Sequence, residues 1–288
     1  MNIKNTIISI LILLFNFPAI WSEDFTLPSE LVNSVPGKYD LLVKVPEARD
    51  AQSGVRAMVY LPKITEEQSL NKLPVIVFFH GNTKDKNYYK NQVSYMTKKA
   101  GRDKFILLSV QNWWCFTDLT ESIRDSRRAT NYLLWQLADA GLIRSDAVYT
   151  TGFSAGGLAA LMTLHNSLQE TDIVERKKPF DFYPYAGAAS FKGNFYLGLG
   201  TFVINPIIDP ETEIIHRHYQ SQYKNKLIFF TVGGKKDAPR VQDQAPEGKV
   251  FFEDYLGVSI VYKEYPNEAH NLSEKNWQDF WNLVQQRM

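Results

Sequence analysis

Ser154 stands in the run Gly152-Phe153-Ser154-Ala155-Gly156-Gly157, a Gly-x-Ser-x-Gly turn with small residues on both sides. A serine hydroxyl is a poor nucleophile until a neighbouring base removes its proton. Histidine suits that task because its ordinary pKa lies near neutrality. His270 lies in Pro266-Asn267-Glu268-Ala269-His270, and Asp237 closes Gly233-Gly234-Lys235-Lys236-Asp237. A carboxylate in that place would fix the imidazole tautomer and stabilise the imidazolium. The three residue types together point to nucleophilic attack on a carbonyl.

Each member also has a plainer reading. Asp237 could cap the helix that follows it, and His270 could cap the last helix. Asp209 and Asp243 are rival acids, although neither directly follows a strong strand pattern. His165 falls within a helical pattern, and His216 and His218 fall in an irregular stretch. The His216/His218 pair lacks an evident third metal ligand, so no metal is expected there.

The elements that must position these residues alternate. Lys38 to Val45 and Val55 to Leu61 read as two strands joined by a polar turn. Pro74 to His80 is an apolar run of the kind buried on both faces of a parallel sheet. Tyr88 to Ala100 reads as a helix, Phe105 to Val110 as a strand, and Glu121 to Ala140 as a long amphipathic helix. Ala147 to Thr151 is a strand leading into the serine turn, and Leu158 to Leu168 the helix after it. Phe180 to Ala189 is expected to add another strand. Lys226 to Val232 and Ser259 to Tyr265 precede the acid and the histidine, with a helix from Ala238 to Leu256 between them. Asn276 to Gln286 closes the chain as a helix. Strands alternating with helices predict an α/β fold, a mostly parallel central sheet covered on both faces.

Serine, then acid, then histidine, each just after a strand, is the chain order of the α/β-hydrolases. In that arrangement the oxyanion pocket is built from backbone amides, here those of Ala155 and Asn82. His80, at the oxyanion end, is expected to support its loop. Trp113 and Trp114 follow a buried strand and, with Phe153, are candidates for binding the substrate. The alternative for the two tryptophans is a hydrophobic plug. Residues from about 190 to 225 mix glycines, Pro206, Pro210 and apolar residues, and read as an insertion over the active-site edge, a candidate lid. The alternative there is ordinary packing on the sheet.

Composition sets the outer limits. With 288 residues, 44% of them apolar, the chain can bury one full core. A formal charge of +1 gives no electrostatic case for nucleic acid. The lone Cys115 excludes an internal disulfide. At the N-terminus Lys4 precedes an apolar run from Ile7 to Phe17, then Pro18 and the small residue Ser22. That pattern reads as a signal peptide over 1–22, followed by a single domain over 23–288. The run is short of the ~20 residues of a membrane span. A secreted or periplasmic protein with no stable membrane association is therefore expected, with an uncleaved N-terminal anchor as the alternative. Residues 271–273 match a glycosylation acceptor, read as chance because a glycan would crowd His270.

From Pro74 onward the chain resembles secreted α/β-hydrolases of the polyhydroxybutyrate depolymerase and feruloyl esterase group. The shared features are His80-Gly81, the elbow from Gly152 to Gly157, an acid after a Gly-containing strand end, and a late histidine. The resemblance implies a Ser-His-Asp carboxylic ester hydrolase without a metal or other cofactor; a small-molecule or oligomeric ester is expected as the substrate, but its identity does not carry over. The same elbow occurs in prolyl-oligopeptidase-like peptidases and dienelactone-hydrolase-like enzymes. A serine peptidase and a non-catalytic binding protein are accordingly the competing readings.

Overall fold

The structure is a computed structural model, and it describes residues 25–45, 54–64, 69–70, 73–83, 85–100, 104–111, 119–169, 179–195 and 221–288. The proposed signal peptide, Trp113, Trp114, Cys115, Asp209, His216, His218 and most of the 190–225 insertion lie outside these residues.

Eight strands form one sheet: β1 (Gly37–Val43), β2 (Val55–Leu61), β3 (Val75–Phe79), β4 (Ile106–Val110), β5 (Val148–Phe153), β6 (Gly187–Phe191), β7 (Leu227–Gly233) and β8 (Val261–Tyr265). They lie in the order β1-β2-β4-β3-β5-β6-β7-β8. The pairs β1–β2 and β2–β4 are antiparallel, and every pair from β4–β3 onward is parallel. The helices are α1 (Ser29–Val32), α2 (Tyr88–Ala100), α3 (Leu119–Asp139), α4 (Ala155–Gln169), α5 (Pro239–Val250) and α6 (Glu274–Gln285).

The apolar runs make central strands because both of their faces are covered. Alternate residues of a strand point to opposite faces, and β3 divides accordingly. Val75, Val77 and Phe79 face a core shared with Leu133 and Leu137 of α3 and Leu158, Leu161 and Leu164 of α4. Ile76 and Phe78 face a second core shared with Tyr89, Val93 and Met96 of α2 and Trp277, Phe280 and Trp281 of α6. One sheet thus separates two apolar layers, the arrangement that the alternation of elements predicts.

Three elements depart from the sequence reading. The sequence reading assigns no regular element between residue 23 and Lys38, yet that segment contains the one-turn α1, with Pro28 at its N-cap, where a missing amide hydrogen costs nothing. Phe180 to Ala189 is only half a strand. A 3-10 turn spans Pro179–Asp181, and pairing begins at Gly187. The aromatics between them are held by α3 instead: Trp135 Nε1 donates to the Phe182 carbonyl, and the Tyr185 hydroxyl to Asn131. Lastly, the helix after Asp237 is α-helical only to Val250 and then widens over Phe251–Tyr255. Pro246 lies inside α5 and supplies no amide proton.

Candidate active site

β5 ends in Phe153, and the chain reverses through Ser154 into α4. Ser154 has φ +57°, a left-handed conformation unusual for a residue with a side chain. The turn is tight enough to exclude any larger neighbour. A Cβ on Gly152 would lie 2.0 Å from the Gly156 carbonyl oxygen, and one on Gly156 would lie 2.0 Å from that of Phe79. The backbone of the nucleophile is also held from outside, by Ser154 N donating to the Phe191 carbonyl at 3.1 Å and Asn194 N donating to the Ser154 carbonyl at 3.2 Å.

The structure brings the three predicted side chains together. His270 Nε2 lies 3.0 Å from Ser154 Oγ, and His270 Nδ1 lies 2.6 Å from Asp237 Oδ1. With the ring proton on Nδ1 and donated to the carboxylate, Nε2 is left to accept from the serine hydroxyl. The Asp237 side chain is 0% exposed, whereas that of His270 is 28% exposed. Burial favours the neutral acid. It is outweighed by the bond from His270, the amides of Gly233 and Ala238 and the His270 charge, so Asp237 is held below the ordinary carboxylate value. The N-cap of α5 is Ala238 and the helix has no side-chain cap, so Asp237, one residue earlier, holds the imidazole and does not cap the helix.

The acid and histidine loops are tied to each other. Gly234 N donates to the Glu268 carbonyl at 2.8 Å, and a Cβ on Gly234 would collide with Pro266. Tyr95 of α2 donates its hydroxyl to the Leu272 carbonyl, fixing the far side of the histidine loop.

A cleft of about 420 Å³ opens onto Ser154 and His270. Gly81 and Asn82 line it after β3, together with Tyr88, Asn91, Gln92 and Tyr95 from the α2 region, and Phe153. The Phe153 ring lies against the His270 ring, with centroids 4.9 Å apart. Gly81 comes close to the nucleophile, since a Cβ there would be 3.4 Å from Ser154 Cβ. Ala155 is the first residue of α4 and has a buried side chain. His80 is buried, with Nδ1 2.8 Å from the Gly81 carbonyl, as a loop-supporting residue should be. Burial lowers its pKa to about 4, against the Gly81 hydrogen bond and the charge of Asp85, so it is neutral near pH 7.

The two rival residues that are described, Asp243 and His165, stand elsewhere. Asp243 is exposed on α5. His165 is buried within α4, with Nδ1 2.6 Å from the Tyr223 hydroxyl. Among the described residues no group of three or more His, Cys, Asp or Glu side chains is placed to hold a metal ion.

Sequence reasoning missed two parts of the site. The cleft wall from α2 reads in sequence only as a helix, with nothing to say that Tyr88, Asn91, Gln92 and Tyr95 face Ser154. Lys192 reads as the start of a surface insertion, yet it is wholly buried and bonded to Glu268. No local pattern marks a lysine as buried when its partner lies 76 residues away.

Comparison with known proteins agrees with this architecture. The BD-FAE family model matches residues 58–191, somewhat under half of the chain. No curated protein sequence matches. Among solved structures, the chain is similar to the esterase LipW from Mycobacterium marinum, at 14% identity, with 90% of this chain and 82% of that one covered and a TM-score of 0.55. A bacterial heroin esterase is similar at 13% identity, with 91% and 85% covered and a TM-score of 0.58. The S-formylglutathione hydrolase FrmB from Staphylococcus aureus is similar at 14% identity, with 87% and 98% covered and a TM-score of 0.53. The chain has the α/β-hydrolase fold.

Proposed function

We propose that the protein is a serine hydrolase that cleaves carboxylic esters through an acyl-enzyme. The observation that carries this reading is the unbroken hydrogen-bonded line from Ser154 through His270 to Asp237 along the wall of an open cleft. In the first half-reaction Ser154 Oγ attacks the ester carbonyl while His270 Nε2 takes the hydroxyl proton. The amides of Ala155 and Asn82 donate to the oxygen on which negative charge develops. Each such donor is worth about 10²–10³ in rate. His270 then returns the proton to the departing alkoxide. In the second half-reaction water, deprotonated by the same nitrogen, releases the acid and restores Ser154. Asp237 keeps the proton on Nδ1 and stabilises the imidazolium throughout.

The similar structures are esterases and an S-formylglutathione hydrolase, which favours ester over amide substrates. The likeness to the polyhydroxybutyrate depolymerase and feruloyl esterase group belongs to the same proposal. Phe153, which lines the cleft, is the candidate contact for the acyl group, and Trp113 and Trp114 remain substrate-binding candidates on their place in the sequence alone, with a hydrophobic plug as the alternative. Export through cleavage after about residue 22 rests on the N-terminal pattern alone.

Short-chain p-nitrophenyl esters test the reading. The purified protein should release p-nitrophenol, and Ser154→Ala should abolish the release. Equal turnover by the variant would end the proposal.

A further inference from the structure

Lys192 follows β6 with φ +45°, a conformation that L-residues avoid, and its side chain is 0% exposed. An ammonium has three protons to donate. All three find acceptors in a single loop: Glu268 Oε2 at 2.7 Å, the Ala269 carbonyl at 2.7 Å and the Asn271 carbonyl at 2.8 Å. These acceptors bracket His270 on both sides. Glu268 is fixed in turn, with Oε1 accepting from the Ser273 hydroxyl and Oε2 from the Asn276 side chain at the start of α6.

The other end of Lys192 reaches the rest of the site. Its backbone amide donates to the carbonyl and the hydroxyl oxygen of Thr231 in β7, the strand that leads to Asp237. Its neighbours Phe191 and Asn194 hold the backbone of Ser154 on either side. One residue therefore joins the three chain segments that carry nucleophile, acid and base. A buried lysine in a strained conformation is an expensive way to fill space, because an apolar residue would avoid the desolvation of the charge. The three directed bonds give it a different use.

We propose that Lys192, through its ion pair with Glu268, is a positioning residue that sets the height and direction of the His270 imidazole between Ser154 and Asp237. The proposal rests on the esterase reading for its kinetic consequence and on geometry alone for its structural one. Without the clamp the loop keeps its ends, at Gly234 and Tyr95, but loses the bonds on either side of His270.

The test compares the wild type with Lys192→Met and with Lys192→Met/Glu268→Gln, which avoids leaving a carboxylate unpaired. Two quantities are read per folded molecule: kcat and KM on a p-nitrophenyl ester, and the low-field proton resonance of His270 Nδ1–H, assigned by its loss in Asp237→Asn. Expected for the double variant are cooperative thermal unfolding, a kcat lower by about 10–10²-fold with KM little changed, and a lost or broadened low-field proton. Wild-type kcat and an intact proton in both variants would overturn the proposal. Failure of both to fold would also overturn it, assigning Lys192 to the domain as a whole. A wild type that hydrolyses no ester but shows the proton, with loss of the proton in the double variant, would remove the esterase reading and keep the clamp.

Discussion

Asp237 is the residue with the most demands on it. One oxygen accepts from His270 Nδ1 and from the Ala238 amide, and the other from the Gly233 amide at 2.5 Å. Asp237→Asn would keep most of the shape but offer the imidazole an amide in place of a charge, leaving the tautomer unspecified and the imidazolium unsupported. Ester turnover should fall by about 10⁴ with KM nearly unchanged, the scale known for this substitution in serine proteases. Steady-state kinetics on a p-nitrophenyl ester measures both, and a fall of less than about tenfold would separate Asp237 from the reaction. The serine, acid and histidine were legible in the sequence because each sits where a recognisable strand ends. Lys192 was not, since its partners are carbonyl oxygens and a distant carboxylate, neither of which leaves a local pattern.

At the scale of elements, the histidine loop is anchored by α6. Ser273 is the N-cap of that helix. Its side chain accepts from Asn276 N, and the Asn276 side chain accepts from Ser273 N, closing a capping box. The Ser273 hydroxyl also donates to Glu268. Ser273→Ala should therefore lower the stability of the domain by about 1 kcal/mol from the cap, with more added by the lost Glu268 bond. Urea unfolding measures the change, and an unaltered midpoint would show the cap to be idle. The serine turn is held differently, by the close approach of Gly152 and Gly156 to neighbouring backbone. Small residues around a nucleophile are visible in sequence, so this turn was anticipated. The aromatic segment before β6 was misread as strand because Phe180, Phe182, Tyr183 and Tyr185 have the composition of one. Packing against α3 decides their conformation, and sequence pattern does not encode that choice.

For the whole molecule, two of the described histidines outside the triad are buried, His80 directly after β3 and His165 within α4. Burial holds His80 down to about 4 and His165 to about 3, against an ordinary 6.5. As pH falls, the unfolded chain takes up protons first, through about 6.5, while the folded imidazoles stay neutral. Stability is thus lost from about pH 6.5 downward, by up to about 1.4 kcal/mol per pH unit for each group. The contribution of His80 levels off near 4 and that of His165 near 3. Asp237 and Glu268 act lower. Their folded values lie below the ordinary 3.8 and 4.5, so their stabilisation is present above those values and disappears as pH drops through the folded ones. Urea midpoints should therefore decline between pH 7 and 5, and His165→Gln should make the decline shallower. A midpoint constant over that range would refute the assignment of two neutral buried histidines. The mostly parallel sheet and its cover of helices on both faces were predictable from alternating strand and helix patterns, whereas the strand order is set by pairing between distant segments. The cleft was not, because it is formed where residues 81–95, 153–154 and 270 meet in space.

The central claim is that His270 activates Ser154, and covalent labelling tests it without assuming a substrate. Wild-type protein treated with a fluorophosphonate at neutral pH should gain a single adduct, mapped by mass spectrometry to the peptide containing Ser154. His270→Ala should label far more slowly. An unlabelled wild type, or an adduct formed equally fast in the variant, would contradict the account.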